Sequence, residues 1–542
     1  MNVEEILCTE IKKYNNIIIY GYRDIGTCVL DYLEFLATDI KLSNYAGKVK
    51  YFATTNHVDQ NHEKKGIPIR WIEDLTEYCN SALVIVSTQE QYHPEIGETL
   101  KKLGFRNIIY ISYEMYILLK EHVENYNRQL DNQIRQYSLM HEIRLDRLRA
   151  KAKNGAKVKV FFMTQRAAAF GCGSVYRAME KSDLFEPYVL CISKRDIWHD
   201  DFYADVVEDI NFFEKRGFRA INAYDENKNP KDIVELNPDI IFWDSPNLYG
   251  PARNSHFRLD QINWKFLTCY IPYGLLMVDS FYYHFNNLNV REAWKFFLDT
   301  AASFNRSMYE AEFNGLNIVK AGYPKFDDLD NDYVLPDKLN NDKKLVIYAP
   351  HWTLDIENNF ATFDLYKDYI FGLAKKNPDI MFVFKPHPEL GFRIKALYTC
   401  GRSEFSFEDY EKYMEDWNNL PNGMCITQGD YMGLFERSDC MITDCGSFIG
   451  EYLPSQNPCI YLFNPRKERQ MDSYTPLAKK ILNTYYVTHT MEELEENWGK
   501  VVINGNDAKR DDRKKVLESE FGEIGKAGEY ICDYLRRQIV DY

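Results

Sequence analysis

Ser438-Asp-Cys-Met-Ile-Thr-Asp-Cys-Gly-Ser-Phe-Ile-Gly-Glu451, followed by Pro458-Cys-Ile-Tyr-Leu-Phe463, is the most informative stretch of this chain. Its apolar run 440–443 is long enough for a buried strand, and a small polar turn follows that run. The apolar residues after the turn recur at helical spacing, and 458–463 predicts the next strand. Strand, turn, helix start and strand together form the repeating unit of a parallel α/β sheet.

The turn in this unit has the features of an anion site. Backbone N–H groups at a helix start, with the positive end of the helix dipole, attract phosphate. Gly446 lets the backbone approach a phosphate, and Ser447 can cap the helix and donate a hydroxyl. Glu451 lies one turn further in and is expected to bind a ribose, whereas Asp444 is expected to fix the turn. An ordinary capped turn is the alternative, because short capping patterns recur by chance.

A second stretch places a cation and an imidazole where a strand ends. Residues 380–384 predict a buried strand that runs into Lys385-Pro-His387-Pro-Glu. The prolines end the strand and stiffen the loop. Lys385 and His387 are therefore predicted at the carboxyl end of a strand, where open α/β sheets bind ligands. A surface loop with a packed imidazole is the alternative interpretation.

Two more stretches have the same character. Residues 345–349 predict a strand that ends in Pro350-His351-Trp, and residues 319–327 predict a turn around Gly322. The sequence now resembles the CDP-glycerol glycerophosphotransferase family, the teichoic-acid-type polymerases and primases. Four motifs in the family's order and spacing carry the resemblance, which is fairly specific and covers roughly residues 157–535. They are Gly322-Tyr-Pro-Lys-Phe-Asp327, Tyr348-Ala-Pro-His-Trp352, Lys385-Pro-His-Pro388 and Ile442-Thr-Asp-Cys-Gly-Ser447.

The resemblance implies an α/β fold with two Rossmann-like lobes in a GT-B arrangement. A chain of 542 residues has room for about three or four domains, so further parts are expected. We predict a small Rossmann-like, parallel-sheet domain at 1–112, a helical linker at 113–155, an acceptor lobe at 156–335 and a nucleotide donor lobe at 336–542.

The activity that the resemblance implies is transfer of glycerol phosphate, or a related polyol phosphate, from a CDP-activated donor. The acceptor would be a lipid-linked or polymeric hydroxyl in the synthesis of a teichoic-acid-like or capsular surface polymer. Lys385 and His387 would neutralise charge on the leaving nucleotide. No cofactor and no metal are expected. The donor nucleotide is expected to be held by Pro350, His351, Asp444, Gly446, Ser447 and Glu451.

One turn departs from the family. Family members commonly place a histidine in a Trp-His-Gly turn, thought to act on the acceptor hydroxyl, where this chain has Pro272-Tyr273-Gly. Tyr273 is the catalytic candidate there, although a tyrosine of ordinary pKa is a poor general base at neutral pH. The other candidates for the base, none placed by a motif, are Asp244, His199, His256 and His284.

Two other classes of function stay open. A nucleotide-sugar-dependent GT-B glycosyltransferase of surface polysaccharide, or an epimerase-like enzyme, would use the same turn with another donor. A non-catalytic nucleotide-binding relative would keep the fold and lose the base, as the missing histidine suggests. Retention of Lys385, His387, Ser447 and Glu451 argues mildly against this last class.

The first 112 residues resemble the small Rossmann-like domains found beside bacterial surface-polysaccharide enzymes. Gly21 and Gly26 follow the first predicted strand, and strands are predicted at 16–20, 49–53, 82–87 and 107–112. The two glycines lack the middle glycine of a dinucleotide fingerprint, and the second strand ends without an acid for a ribose. A nucleotide site at Gly21 and Gly26 is one interpretation, and a regulatory or structural role is the favoured one.

Residues 113–154 contain no proline or glycine and predict a long amphipathic helix that ends near Gly155. A packed connector is the favoured interpretation and a dimerisation helix in a homo-oligomer the alternative.

Composition restricts the setting of the protein. The net charge is −15, whereas a protein that mainly binds nucleic acid carries an excess of basic residues, so this class of function is not expected. The 12 cysteines include no CxxC pair, which favours a reducing cytoplasm. No signal peptide and no apolar run of about 18 residues is present, so a membrane span is not expected. Peripheral contact with the inner face of the cell membrane stays open.

Overall fold

The computed structural model describes residues 7, 9–38, 48–55, 62–65, 67–167, 170–192, 202–244, 257–279, 285–286, 288–311, 313, 315–327, 335–355, 360–427, 431–467, 470–522 and 524–541. These residues form an α/β protein with three mostly parallel sheets, so the predicted fold class is confirmed. The chain divides into two compact units. One contains Met1–Glu142, Ser280–Glu292 and Asn305–Asn317, and the other contains Ile143–Asp279, Ala293–Phe304 and Ile318–Tyr542.

Helices alternate with the strands of all three sheets. In chain order they are α1 Asp24–Thr38, α2 His93–Lys102, α3 Tyr113–Lys153, α4 Gly173–Glu180, α5 Phe202–Lys215, α6 Ile233–Leu236, α7 Leu259–Ile262, α8 Leu288–Glu292, α9 Ala301–Glu310, α10 Phe363–Lys376, α11 Leu390–Thr399, α12 Phe407–Asn419, α13 Met432–Arg437, α14 Gly446–Glu451, α15 Pro476–Leu482, α16 Met491–Asn497, α17 Arg510–Phe521 and α18 Ala527–Val540.

The first unit contains a six-stranded sheet. Its strands are β1 Asn16–Tyr20, β2 Val49–Thr54, β3 Glu63–Lys64, β4 Ile67–Trp71, β5 Ala82–Val86 and β6 Ile108–Tyr110. They lie in the order β3-β4-β2-β1-β5-β6, and only the short β3–β4 pair is antiparallel among these strands. The four predicted strands are present as β1, β2, β5 and β6. Sequence patterns missed β3, which has only two residues, and β4, which contains a proline.

The second unit contains two sheets, each forming a lobe. The sheet of the first lobe has the order β13-β12-β11-β10-β7-β8-β9, and its neighbouring strands pair in parallel. Its inner strands are mostly buried on both faces, as strands between helix layers must be, while its two edge strands are only partly buried. Seven strands form this sheet. They are β7 Val158–Thr164, β8 Phe185–Cys191, β9 Ala220–Asn222, β10 Ile240–Trp243, β11 Leu267–Tyr270, β12 Lys295–Leu298 and β13 Ile318–Lys320.

The sheet of the second lobe has the order β16-β15-β14-β17-β18-β19. Its central strand β14 pairs in parallel with β15 on one side and with β17 on the other. The loops after these three strands are therefore neighbours at one edge of the sheet, and they carry three of the four sequence motifs. The strands are β14 Lys344–Ala349, β15 Ile380–Phe384, β16 Gly423–Cys425, β17 Cys440–Thr443, β18 Cys459–Leu462 and β19 Tyr486–Thr488.

The charged, aromatic segment 391–423, which sequence patterns leave unassigned, is mostly helical. Helices α11 and α12 fill most of it. The start of α12 is a capping box, in which Ser406 and Asp409 bond each other's backbone N–H groups. This Ser-x-x-Asp spacing is the signal that could have located the helix from the sequence.

The long helix predicted after the first domain is present as α3. It ends in a Schellman motif, because the N–H of Ala156 bonds to the carbonyl of Lys151 and that of Gly155 to the carbonyl of Ala152. Gly155 takes a positive φ of 75°, which a glycine adopts without strain.

The last helix, α18, packs in the first lobe rather than with the second. Asp327 caps it by accepting bonds from the N–H groups of Ala527 (3.2 Å) and Gly528 (2.6 Å). Its apolar residues Ile531 and Leu535 belong to the same core as strands β7 and β8. The boundaries predicted for the domains stay a prediction, and α18 belongs by its contacts to the core of the first lobe.

Replacing Gly528 with alanine is expected to destabilise the protein by about 1–3 kcal/mol. A Cβ atom there would lie 2.5 Å from the carbonyl carbon of Ser174 and 2.7 Å from its oxygen, and backbone atoms of a packed helix cannot turn aside. The free energy of unfolding in urea measures the loss. Gly372→Ala is the matched control, because it lies inside α10 with open space around it and should be neutral or stabilising. Equal stabilities of the two variants would contradict the prediction.

Candidate active site

Three loops at the edge of the second-lobe sheet bond to one another. The N–H of His387, after β15, donates to the carbonyl of Pro350, after β14 (3.1 Å). The N–H of His351 donates to the Asp444 carboxylate, after β17 (2.6 Å). The three motifs are thus brought together, because parallel neighbours end at the same edge.

The carboxylate of Asp444 holds the loops after β14 and β17 together, and the residue is 1% exposed. Besides His351, its carboxylate accepts from the N–H (2.5 Å) and the hydroxyl (2.8 Å) of Thr362. Burial raises the pKa of Asp444 to about 7, and the bonds from His351 and Thr362 oppose that rise. The carboxylate fixes the loops through these bonds, and its predicted part in binding the donor nucleotide stays a prediction.

His387 is oriented by its own loop. Its Nδ1 accepts a bond from the N–H of Glu389 (3.1 Å), so the neutral ring carries its proton on Nε2. The ring of His351 lies 5.2 Å away, edge to face. Burial lowers the pKa of His351 to about 4, so this second imidazole is neutral at pH 7 and contributes no charge.

Lys385 is a buried cation, with 5% of the residue exposed. Burial lowers its pKa to about 8. Its ammonium lies 5.8 Å from the centre of the Tyr431 ring, and no carboxylate within the described part of the chain forms an ion pair with it. A buried charge is costly unless it is compensated, so this position favours an anionic ligand.

The turn after β17 differs in one detail from the prediction. Helix α14 begins at Gly446, and its N-cap residue is Cys445, which makes no side-chain capping bond. Ser447 is therefore not the cap; its hydroxyl lies 3.3 Å from the Cys445 sulfur. The N–H groups of Gly446 and Ser447 belong to the first turn, where no intrahelical carbonyl accepts from them.

Glu451 is 2% exposed, and both of its oxygens accept bonds from tyrosines. The hydroxyl of Tyr323 donates to Oε1 (2.6 Å) and that of Tyr431 to Oε2 (2.8 Å). The ammonium of Lys325 lies 3.6 Å from Oε1. The predicted ribose-binding role stays a prediction, and the structure shows Glu451 at the centre of a buried polar network instead.

The same network holds the Pro-Tyr-Gly turn of the first lobe. The carbonyl of Tyr273 accepts from the Lys325 ammonium (2.7 Å) and lies 3.1 Å from the hydroxyl oxygen of Tyr323, whose single proton is directed to Glu451. A few residues further on, the N–H of Thr475 donates to the carbonyl of Met277 (2.9 Å). The turn after β11 is therefore fastened to the second lobe. Lys325 belongs to the motif Gly322–Asp327 and was given no role of its own from the sequence. Its ammonium joins the turn to Glu451 of the second lobe.

Tyr273 does not have the properties of a general base. Its side chain is 46% exposed, and its pKa is raised by burial and then by the nearby charge of Glu451. A phenol with a raised pKa stays protonated at neutral pH, so it can donate a hydrogen bond but cannot take the acceptor's proton. The catalytic role predicted for Tyr273 stays a prediction, and a protonated phenol suits a hydrogen-bond donor better than a base.

Among the other candidates for the base, Asp244 lies at the carboxyl end of β10 and is 2% exposed. His199, His256 and His284 lie outside the described residues.

An ion pair between the lobes was missed in the sequence. Arg166, after β7, lies 2.5 Å from Glu389 in the loop that carries His387. The two residues are 223 positions apart, and no local pattern predicts such a pair.

Gly21 and Gly26 are accounted for by close packing in the first unit. A Cβ at Gly21, which has a φ of 103°, would lie 2.7 Å from the carbonyl oxygen of Ser87. A Cβ at Gly26 would lie 1.8 Å from the carbonyl oxygen of Gly21. The turn between β1 and α1 requires both glycines whether or not a nucleotide binds, so the nucleotide site there stays a prediction.

The described residues contain neither a metal-binding cluster nor a membrane-spanning helix. They contain no group of three or more His, Cys, Asp or Glu side chains placed to hold a metal ion. No helix within them is both long and apolar enough to cross a bilayer.

Two lobes with parallel sheets, and a buried lysine at the carboxyl edge of the second sheet, agree with the GT-B-like fold expected from the sequence. Residues 282–515 match the model of the CDP-Glycerol:Poly(glycerophosphate) glycerophosphotransferase family. The match covers less than half of the chain, and it confirms the predicted resemblance and the predicted class of enzyme and function.

Solved structures with the same general fold are distant. S. aureus MnaA in complex with UDP has 13% identity and a TM-score of 0.46 over 71% of this chain and 98% of its own. A variant of the wall teichoic acid polymerase TagF, with asparagine in place of a histidine, has 13% identity and a TM-score of 0.47. The match covers 75% of this chain and 98% of the TagF chain. A UDP-N-acetylglucosamine 2-epimerase from Listeria monocytogenes has 16% identity and a TM-score of 0.47, over 71% of this chain and 97% of its own. Likenesses this weak assign no activity. A comparison with curated protein sequences found no significant match.

Proposed function

We propose that this protein transfers a polyol phosphate from a CDP-activated donor to a hydroxyl of a lipid-linked or polymeric acceptor. One observation carries the proposal for the site: the buried Lys385 lies beside His387 at the sheet edge, with no carboxylate paired to it in the described residues. The family match supplies the chemical class of the donor. Contact with the inner face of the membrane and a homo-oligomeric state stay predictions.

The donor's diphosphate lies against Lys385 and the first turn of α14 in this proposal. The N–H groups of Gly446 and Ser447 and the ammonium donate to phosphate oxygens. The neutral ring of His351 and the carbonyl of Pro350 border the nucleotide, while Asp444 keeps the loops in register.

The reaction is an in-line displacement at phosphorus. The acceptor oxygen forms a bond to the phosphorus of the polyol phosphate, the bond from that phosphorus to the CMP oxygen breaks, and CMP leaves. Negative charge grows on the leaving phosphate. The Lys385 ammonium and the Nε2–H of His387 stabilise it where it develops, which lowers the barrier more than equal binding of the ground state would.

The decisive experiment follows the nucleotide product. The purified protein is incubated with a hydroxyl acceptor and CDP-glycerol, and in parallel with UDP-sugars, and the released nucleotides are separated by chromatography. We expect CMP from CDP-glycerol. Release of UDP from a nucleotide sugar would replace the proposal by sugar transfer. Binding of CDP-glycerol without any release would make the protein a non-catalytic relative.

Affinity for CDP-glycerol is expected to fall as the pH rises through about 8. Below that pH Lys385 is an ammonium that attracts the diphosphate, and above it the free protein carries a neutral amine. Kd values measured by calorimetry between about pH 7 and pH 10 test this. Lys385→Arg should keep its affinity to higher pH, because a guanidinium stays protonated. Lys375→Arg, on the exposed side of α10, is the control and should follow the wild type. A pH-independent Kd in the wild type would contradict the prediction.

A further inference from the structure

We infer that Asp244 is the general base that accepts the proton of the attacking hydroxyl, an inference that rests on the proposed phosphotransferase function. No motif places this residue, and the family's histidine is absent from the turn beside it. Strand pairing, contacts and burial assign the role.

Asp244 stands next to the turn in which the family carries its histidine. Strands β10 and β11 are parallel neighbours, so the residues after them lie side by side at the carboxyl edge of the sheet. The N–H of Tyr273 donates to the backbone carbonyl of Asp244 (3.0 Å). The backbone of Asp244 is therefore one strand away from the position of the missing imidazole, while its carboxyl group accepts a bond from Thr164 at the end of β7, the neighbouring strand on the other side.

The turn next to Asp244 packs against the second lobe. A Cβ atom at Gly446, the first residue of α14, would lie 3.4 Å from a methyl carbon of Val278, which follows the turn. The ammonium of Lys325, which lies 3.6 Å from Glu451 of the second lobe, bonds to the carbonyl of Tyr273 and also lowers the pKa of Asp244. Asp244 is thus bonded to the backbone of the turn that contacts the start of α14, where the donor phosphates are proposed to bind.

The surroundings of Asp244 suit a base that works at neutral pH. Burial raises its pKa to about 7; Asp209, facing it from α5, raises it further, whereas Thr164, from β7, and Lys325 lower it. Tyr273 also interacts with Asp244 electrostatically, and the backbone N–H of Arg166 bonds to the same Thr164 hydroxyl that contacts Asp244. A base is most effective when its pKa is close to the working pH, because much of it is then deprotonated and still basic enough to accept a proton.

The proton balance of the step is simple. As the acceptor oxygen bonds to phosphorus, the O–H bond breaks and its proton moves to the carboxylate of Asp244. The electrons of the breaking phosphorus–oxygen bond leave with CMP. Asp244 then returns the proton to water before the next cycle.

A purely structural role is the alternative. Thr164 donates to Oδ2 of Asp244 (3.1 Å), and the same hydroxyl oxygen lies 3.4 Å from the N–H of Arg166, so Asp244 also steadies the loop of the interlobe ion pair. Asp244→Asn separates the two roles. An amide oxygen still accepts from Thr164, and the amide cannot accept the acceptor's proton.

The test compares wild type and Asp244→Asn with CDP-glycerol and a hydroxyl acceptor. We expect kcat to fall at least about 100-fold, with the Kd for CDP-glycerol and the thermal unfolding unchanged. We also expect the rise of wild-type activity with pH through about 7 to vanish in the variant. A kcat within a few-fold of wild type, with the same pH profile, would overturn the inference. Wild-type protein that releases no CMP would instead refute the proposed function.

Thr164→Val keeps the inference testable if the Asp244 variant does not fold. Loss of the hydroxyl removes a hydrogen bond that favours the charged carboxylate, so the acid limb of the pH profile should move to higher pH. An acid limb that stays in place would count against Asp244. Asp244→Glu should restore part of the lost kcat, because it returns a carboxylate with a longer reach.

Discussion

Replacing His387 with alanine is expected to lower kcat for CMP release about 100- to 1,000-fold, the loss typical when one preorganised donor to a developing charge is removed. The structure supplies the reason for preorganisation. The Glu389 N–H holds Nδ1, and the prolines on either side of His387 stiffen the loop, so Nε2–H is directed before the donor binds. Single-turnover kinetics with CDP-glycerol measures the effect without interference from product release.

His489→Ala is the control for this experiment. His489 is an exposed histidine of the same lobe, next to the edge strand β19 and outside the three motif loops. The control should keep wild-type kcat, and both variants should unfold at the wild-type urea concentration. Unchanged turnover in His387→Ala would remove this histidine from the active site. Partial activity in His387→Gln, which keeps an N–H donor, would support the assigned role.

Replacing Arg513 with methionine is expected to cost about 3–5 kcal/mol of unfolding free energy. This arginine of α17 is fully buried in the second lobe. It pairs with Asp507 and donates to the carbonyl of Gln456 (2.9 Å from Nη2). It also donates to the carbonyl of Thr484 (3.1 Å). Methionine fills much of the volume but leaves a carboxylate and two carbonyls without this donor.

Arg510→Met provides the comparison, because Arg510 lies one turn earlier in the same helix and is exposed. Its loss should change stability by no more than about 0.5 kcal/mol. Urea unfolding followed by circular dichroism gives both values. If the two variants lose the same stability, the buried network around Arg513 does not stabilise the lobe as the contacts indicate.

Local sequence patterns were sufficient to predict the central strands of the second-lobe sheet. Strands β14, β15 and β17 are predicted because each is an apolar run ended by a proline or a polar turn, and the loops after them carry the motifs. The short strands β12 and β13 and helices α11 and α12 were not assigned. Strand β13 has only three residues, which is too few to show a period.

The amino-acid sequence alone determined the α/β class, the family and the three loops that bear Lys385, His387 and Gly446, because each depends on residues close together in the chain. Only the tertiary structure decided how the groups around them work. Glu451 is engaged by Tyr323 and Tyr431, and Asp244 lies beside the turn that lacks a histidine. These relations join residues up to 128 positions apart, and burial sets their ionisation. Contacts and desolvation of that kind arise only when the lobes pack, so no local pattern encodes them.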